Sequence, residues 1–203
     1  MNRFVRSLTL LWRFEDTESH ILSSEVDMIV PLTYGTLNSC LTCGTASTNK
    51  IALQFAIILR HAYVMCCPCS RPHGDGGGYE NAFRSSILRG LKSRLIVGQA
   101  VDNTVDEALM IRNALKAKGL NPVTILLVSG EWHSRSARYV WEKVFPDCEI
   151  LVTCIGHFEE VQENHPFDNQ RSVFRWIIAN VLRHLALRVL PLSVVRRINH
   201  RST

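Results

Sequence analysis

Val123-Thr124-Ile125-Leu126-Leu127-Val128 is a run of apolar and β-branched residues with no polar alternation, bounded by Pro122 before it and Ser129-Gly130 after it. A strand buried on both faces has this composition, and such strands belong to parallel sheets covered by helices. Upstream, Val105, Ala108, Ile111 and Leu115 share one helical face over Thr104 to Lys118. Gly119 then stands where a left-handed C-cap closes a helix. Downstream, Ala137, Val140, Trp141 and Val144 resume the helical spacing. A helix, a buried strand and a second helix in succession are the core of a βαβ pattern.

Working outward, the same alternation recurs. Strands are predicted at Val26 to Leu32, Tyr63 to Cys66, Arg94 to Val97 and Cys148 to Cys154, although Pro31 removes one ladder donor from the first. Helices are predicted from about Asn49 to Ala62, with Ile51, Phe55, Ile58 and Leu59 on one face, from Tyr79 to Leu91, and from Arg171 to Leu190. Five short strands alternating with helices specify right-handed crossovers, hence an α/β fold with a mainly parallel five-stranded sheet between two helical layers. A chain of 203 residues suits one domain, with its core over about residues 25–160 and a basic helix and tail over about 170–203.

Composition narrows the function classes. The chain is 46% hydrophobic and carries 23 basic against 18 acidic residues, which suits a folded, water-compatible domain. Seven arginines and no acid fall after residue 170, so the basic excess belongs to the tail. A nucleic-acid binder would carry its basic residues on its body, and nucleic acid is therefore not the expected partner. The apolar stretch from Trp176 to Val195 is interrupted by Arg183, His184 and Arg188 and does not read as a membrane span. Arg13 cuts short the apolar run Leu8 to Trp12, no signal peptide is read, and the cytoplasm is the expected compartment.

Seven cysteines cannot all pair within one chain. Cys40-x-x-Cys43, followed by Cys66, Cys67 and Cys69, has something of a zinc-ligand spacing, but a regular second pair is missing. Buried or loop cysteines without metal are expected. The glycine-rich segment Gly74-Asp75-Gly76-Gly77-Gly78 lacks the lysine of a phosphate-binding loop and the spacing of a dinucleotide fingerprint, so it reads as a connection.

In parallel sheets, ligands bind beyond the carboxyl ends of the strands, so the residues just after each strand carry the weight. Thr104 with Glu107 three positions on reads as a capping box, leaving Asn103 over. After the clearest strand, Ser129, Glu131, His133, Ser134, Arg135 and Arg138 lie within ten residues at the start of a helix. That combination suits an anionic group. Ser129 lacks the flanking glycines of a nucleophile elbow, which weighs against a serine hydrolase. His133 is expected at the sheet mouth beside Asn103, neutral near pH 7, orienting a ligand or acting as a general base.

Over Asp27 to Pro146 the sequence resembles the YdcF-like family of unknown function. The residues that carry the resemblance are the turn ending at Gly35, Glu80, the motif Asn103-Thr104-Val105-Asp106-Glu107-Ala108, and Ser129-Gly130-Glu131-Trp132-His133-Ser134-Arg135-Ser136-Ala137. It departs from the family at Gly130, where a hydroxyl is usual, and at Ser136, where an Arg is usual. The resemblance implies a Rossmann-like sheet, a polar pocket over the first and fourth strands, a link to cell-envelope carbohydrate metabolism, and S-adenosylmethionine as a candidate ligand. The expected ligand-binding residues are Gly35, Thr36, Glu80, Asn103, Thr104, Glu107, Ser129, His133 and Arg135, for a small molecule with an anionic or nucleotide-like part. A second expectation is contact with an anionic membrane through Arg171 to Arg201, weighed against a helix that packs on the sheet with its Arg heads in water.

Overall fold

A computed structural model of the chain describes residue 7 and residues 11–32, 44–67, 91, 94–99, 101, 103–155 and 173–195. In order, the elements are α1 (Glu18–Ser23), β1 (Met28–Pro31), α2 (Gly44–Ile58), β2 (Tyr63–Cys66), β3 (Leu95–Val97), α3 (Thr104–Lys118), β4 (Thr124–Gly130), α4 (Ser134–Val144), β5 (Glu149–Ile155) and α5 (Val173–Val189). The strands form one sheet in the order β3-β2-β1-β4-β5, every neighbour parallel. This is the expected α/β, Rossmann-like three-layer arrangement, with helices on both sheet faces. The predicted helix from Tyr79 to Leu91 and the Gly74 to Gly78 segment lie outside the described residues, Leu91 excepted.

The two layers follow from period-two alternation along each strand. Ile29, Leu126, Val128, Leu151 and Ile155 point to one face, where they pack with Ala52, Phe55, Ala56 and Leu59 of α2. Met28, Val30, Ile125, Leu127, Ile150 and Val152 point to the other, against Val105, Ala108, Ile111 and Leu115 of α3 and Ala137, Val140, Trp141 and Val144 of α4. The β4 run is buried along its whole length because it has a strand on each side and a helical layer on each face. Pro31 is accommodated at the last position of β1, where the ladder ends.

The strands and α5 begin and end within one or two residues of the expected positions, whereas the start and the end of α2 move further. Helix α2 runs from Gly44 to Ile58 rather than from Asn49 to Ala62. Its end is set by Arg94, whose guanidinium donates to the carbonyls of Ala56, Leu59 and Ala62 at 2.9–3.1 Å and so satisfies the orphan acceptors of the last turn. Ile58 consequently lies exposed while Ala52 and Ala56 face the core.

The N-terminal segment covers the open edge of β5, a contact with no local signature. Asp16 exchanges two bonds with Val152: its N–H donates to the carbonyl at 2.8 Å, and its carboxylate accepts the Val152 N–H at 2.7 Å. Glu15 accepts the Cys154 N–H at 2.8 Å. Carboxylates in these positions block a further strand from pairing there. Asp16→Ala leaves the Val152 N–H without its charged acceptor and is expected to cost about 1–2 kcal/mol in urea unfolding; a change below about 0.3 kcal/mol would mean that water replaces the carboxylate without loss.

Candidate functional site

Strand order reverses between β1 and β4: β2 and β3 extend to one side of β1, while β4 and β5 extend to the other. The helices that follow these two neighbours, α2 and α4, pack on opposite faces of the sheet, and in folds of this kind that divergence leaves a crevice beyond the carboxyl ends of the strands. Residues 33–43, which follow β1, are outside the described part, and with them Gly35, Thr36, Cys40 and Cys43; Glu80 and Cys69 are outside it as well. The β4 side of the crevice, the start of α3 and the second turn of α2 are described.

The helix-start expectation needs a one-residue correction. Asn103, not Thr104, is the N-cap of α3: its Oδ1 accepts the N–H groups of Val105 and Asp106 at 3.0 Å, and its Nδ2 donates to Asp106 Oδ2 at 2.8 Å. The reciprocal box is therefore Asn103 with Asp106, and Glu107 sits buried on the helix one residue beyond it. Asn and Thr both cap well and both candidates had an acid three residues on, so local pattern left the frame open. The shift releases the Thr104 hydroxyl, which meets His133 Nε2 at 2.8 Å.

His133 is 5% exposed at the N-cap of α4, and its other ring nitrogen, Nδ1, lies 3.1 Å from Asn180 Oδ1 on α5. The same oxygen accepts from Arg183 Nη1 at 3.5 Å. An amide oxygen can only accept, so the network assigns the ring proton to Nδ1 and makes Nε2 the acceptor of the Thr104 hydroxyl proton. Burial, reinforced by the positive charge of Arg183 and partly opposed by the bond to Asn180, pushes the imidazolium down to about 3. The imidazole is neutral near pH 7, and desolvation is the first cause.

The order hydroxyl, imidazole, amide is that of a nucleophile with its base and orienting group. The electrostatics oppose that use. A ring whose conjugate acid titrates near 3 holds a proton far too weakly to deprotonate a threonine efficiently, since good bases titrate near the working pH. The chain from Thr104 through His133 and Asn180 to Arg183 acts instead as a clamp that joins the starts of α3 and α4 to the middle of α5. Thr104 and Arg183, at its two ends, are half-buried, while His133 and Asn180 between them are buried.

Arg135 is held elsewhere. Its Nε and Nη2 donate to the carbonyls of Trp12 and Leu11 at 3.0 and 3.2 Å, and its guanidinium lies over the Trp12 ring. Glu131 is paired with Arg13 at 2.8 Å, and Ser134 accepts the Phe14 N–H at 2.9 Å while donating to the Glu131 carbonyl. Trp12 Nε1 donates to the Trp132 carbonyl at 2.9 Å. Much of the polar cluster after β4 therefore seats the N-terminal segment. Ser129 is fully buried, with its hydroxyl 3.3 Å from the Gly130 carbonyl. Arg138 stacks over Phe14 and pairs with Glu142.

Three residues outside the expected set belong to this region. Asn180 was visible as the polar break in Ile177-Ile178-Ala179-Asn180-Val181-Leu182, but its target on α4 was not. Arg183 was counted with the basic tail. Asn49, fully buried on α2, has no hydrogen-bond partner for either amide atom. Its neighbour Thr48 donates to the Leu32 carbonyl at 3.1 Å, which brings this turn of α2 to the carboxyl end of β1.

A separate cleft of about 130 Å³ opens at the amino ends of the strands, lined by Asp27, His61, Tyr63 and Pro122 among others. The Asp27 carboxylate accepts the N–H groups of Val123 and Thr124 at 2.7 and 3.0 Å, so it serves to pin β4 to β1. Cys66 and Cys148 are free thiols, and among the described residues no group of three His, Cys, Asp or Glu is placed to hold a metal. No described helix is long and apolar enough to cross a membrane. Comparison with protein families, with curated proteins and with solved structures finds no match to this chain.

Proposed function

We propose that the protein is a cytoplasmic, YdcF-like small-molecule-binding domain whose site is the crevice beyond β1 and β4, and whose ligand carries an anionic or nucleotide-like part. The observation that carries this is the buried Asn49 amide: two unpartnered polar atoms on the turn of α2 that Thr48 ties to the residue after β1, Leu32, on the strand beside which the order reverses. A buried amide without partners costs about 1–3 kcal/mol unless water or a ligand meets it, and such orphans cluster where function requires them. Thr104 on the α3 side, held by the His133 clamp, brings a half-buried hydroxyl oxygen to the same edge. The YdcF-like resemblance makes S-adenosylmethionine and sugar nucleotides the compounds to try first, with a cell-envelope carbohydrate role as its physiological setting.

Thermal-shift screening of the full chain against nucleotides, sugar nucleotides, S-adenosylmethionine and inorganic phosphate tests the proposal, because a ligand that binds the native state raises stability. At least one anionic compound is expected to raise the melting temperature. Asn49→Leu, close in volume, is expected to leave the free protein as stable or more so, since it removes the two orphan atoms, and to abolish the ligand-induced rise. A panel with no stabilising compound would overturn the reading, as would a rise that survives Asn49→Leu unchanged.

A further inference from the structure

Helix α5 presents two different faces. Ile177, Asn180, His184 and Leu187 point inward and are buried. Phe174, Ile178, Leu182, Leu185 and Val189 recur every three or four residues on the opposite side and stand 41–80% exposed, an apolar stripe four turns long facing solvent. Single exposed apolar residues are ordinary on a protein surface, but a continuous row is not. Its flanks are basic: Arg175 borders it on one side and Arg188 on the other, both exposed, Arg188 while donating from Nε to His184 Nε2 at 3.1 Å. From residue 171 to the end of the sequence there are seven arginines and no acid.

We infer that α5 docks this stripe on an anionic lipid surface, lying along the membrane interface with Phe174, Leu182 and Leu185 among the acyl chains and Arg175 and Arg188 at the headgroups. Apolar residues flanked by basic ones are what an interfacial helix requires, since area burial and electrostatic attraction then act together. Charge selects this occupant over a second copy of the chain. Two such helices packed stripe to stripe would bring their arginine borders together with no acid on either helix to compensate. This inference is independent of the crevice ligand, because the stripe faces away from the Asn180 side that joins the His133 clamp.

Sedimentation of the full chain with vesicles tests it. Vesicles of phosphatidylcholine containing phosphatidylglycerol are expected to carry the protein down, phosphatidylcholine alone much less, and the difference is expected to shrink as salt rises from about 0.1 to about 0.5 M. Leu182→Glu with Leu185→Glu is expected to weaken anionic-vesicle binding at least about tenfold while the melting temperature stays near that of the parent. Arg175→Gln with Arg188→Gln serves as the second variant should the first unfold, and is expected to remove most of the preference for anionic lipid. No binding to anionic vesicles, or binding that both variants retain in full, would overturn the inference. So would size-exclusion behaviour in which the parent is a dimer that Leu182→Glu/Leu185→Glu converts to a monomer while vesicles recover neither, which would make the stripe a face between copies.

Discussion

Trp141→Ala is expected to lower the unfolding free energy by about 3–5 kcal/mol, while Trp141→Phe costs less than about 1.5 kcal/mol. Trp141 is fully buried in the layer between α4 and the sheet, and its ring stacks on Phe145 with centroids 5.3 Å apart and planes 10° from parallel. Removing the indole leaves a large void beside Val140 and Val144 that a rigid parallel sheet cannot collapse to fill. Phenylalanine keeps most of the stacked area. It also deletes the indole N–H, which is buried with no acceptor, so the lost contact area is partly offset by removal of an unsatisfied donor. Urea unfolding of the three proteins measures both steps; a Phe variant as unstable as the Ala variant would show that the second ring, rather than the stacked one, holds the site together.

The second large effect is a dependence on pH. The His133 ring titrates near 3 in the folded protein and near 6.5 when unfolded, so between these values the unfolded chain binds the additional proton. Stability is therefore full above about pH 6.5 and falls as pH drops, by about 1.4 kcal/mol per pH unit, until the folded ring itself protonates near 3. Between about pH 7 and about pH 5 the loss from this group alone is expected to be about 2 kcal/mol. His184, whose ring is also pushed down by burial with Arg188 and Arg135 nearby, adds a change of the same sign. His133→Gln isolates the first contribution: the variant should be less stable than the parent at pH 7, and the gap should close by about 2 kcal/mol on going to pH 5. A gap that stays constant would mean that the ring protonates as freely in the folded protein as in the unfolded one.

The sheet was legible because parallel strands buried on both faces have a composition that few other elements share. Val123 to Val128 and Tyr63 to Cys66 needed no tertiary information. The C-terminus of α3 was equally plain, since Gly119 adopts φ 67°, a left-handed conformation that glycine reaches without strain. The start of that helix was not, because two adjacent residues could each cap it and only the long-range bond from Thr104 to His133 decides between them. Arg135 shows the same limit at the site. Its place after β4 suggested an anion, yet the carbonyls of Leu11 and Trp12, more than 120 residues away along the chain, take donors from its Nε and Nη2. On α5, the apolar residues were too many for one stripe in sequence; packing sorts them into a face toward α4 and the sheet and a face toward solvent, which spacing alone cannot do.

The crevice beyond β1 and β4 is tested most directly by hydrogen exchange on the full chain, with and without the anionic compound that raises its melting temperature most. The amides at the start of α3, residues 103–106, those after β4, residues 131–135, and those of α2 around Asn49 are expected to exchange more slowly with the compound bound. Protection confined to the amino-end cleft around Asp27, Tyr63 and Pro122, with the carboxyl edge unchanged, would contradict the account.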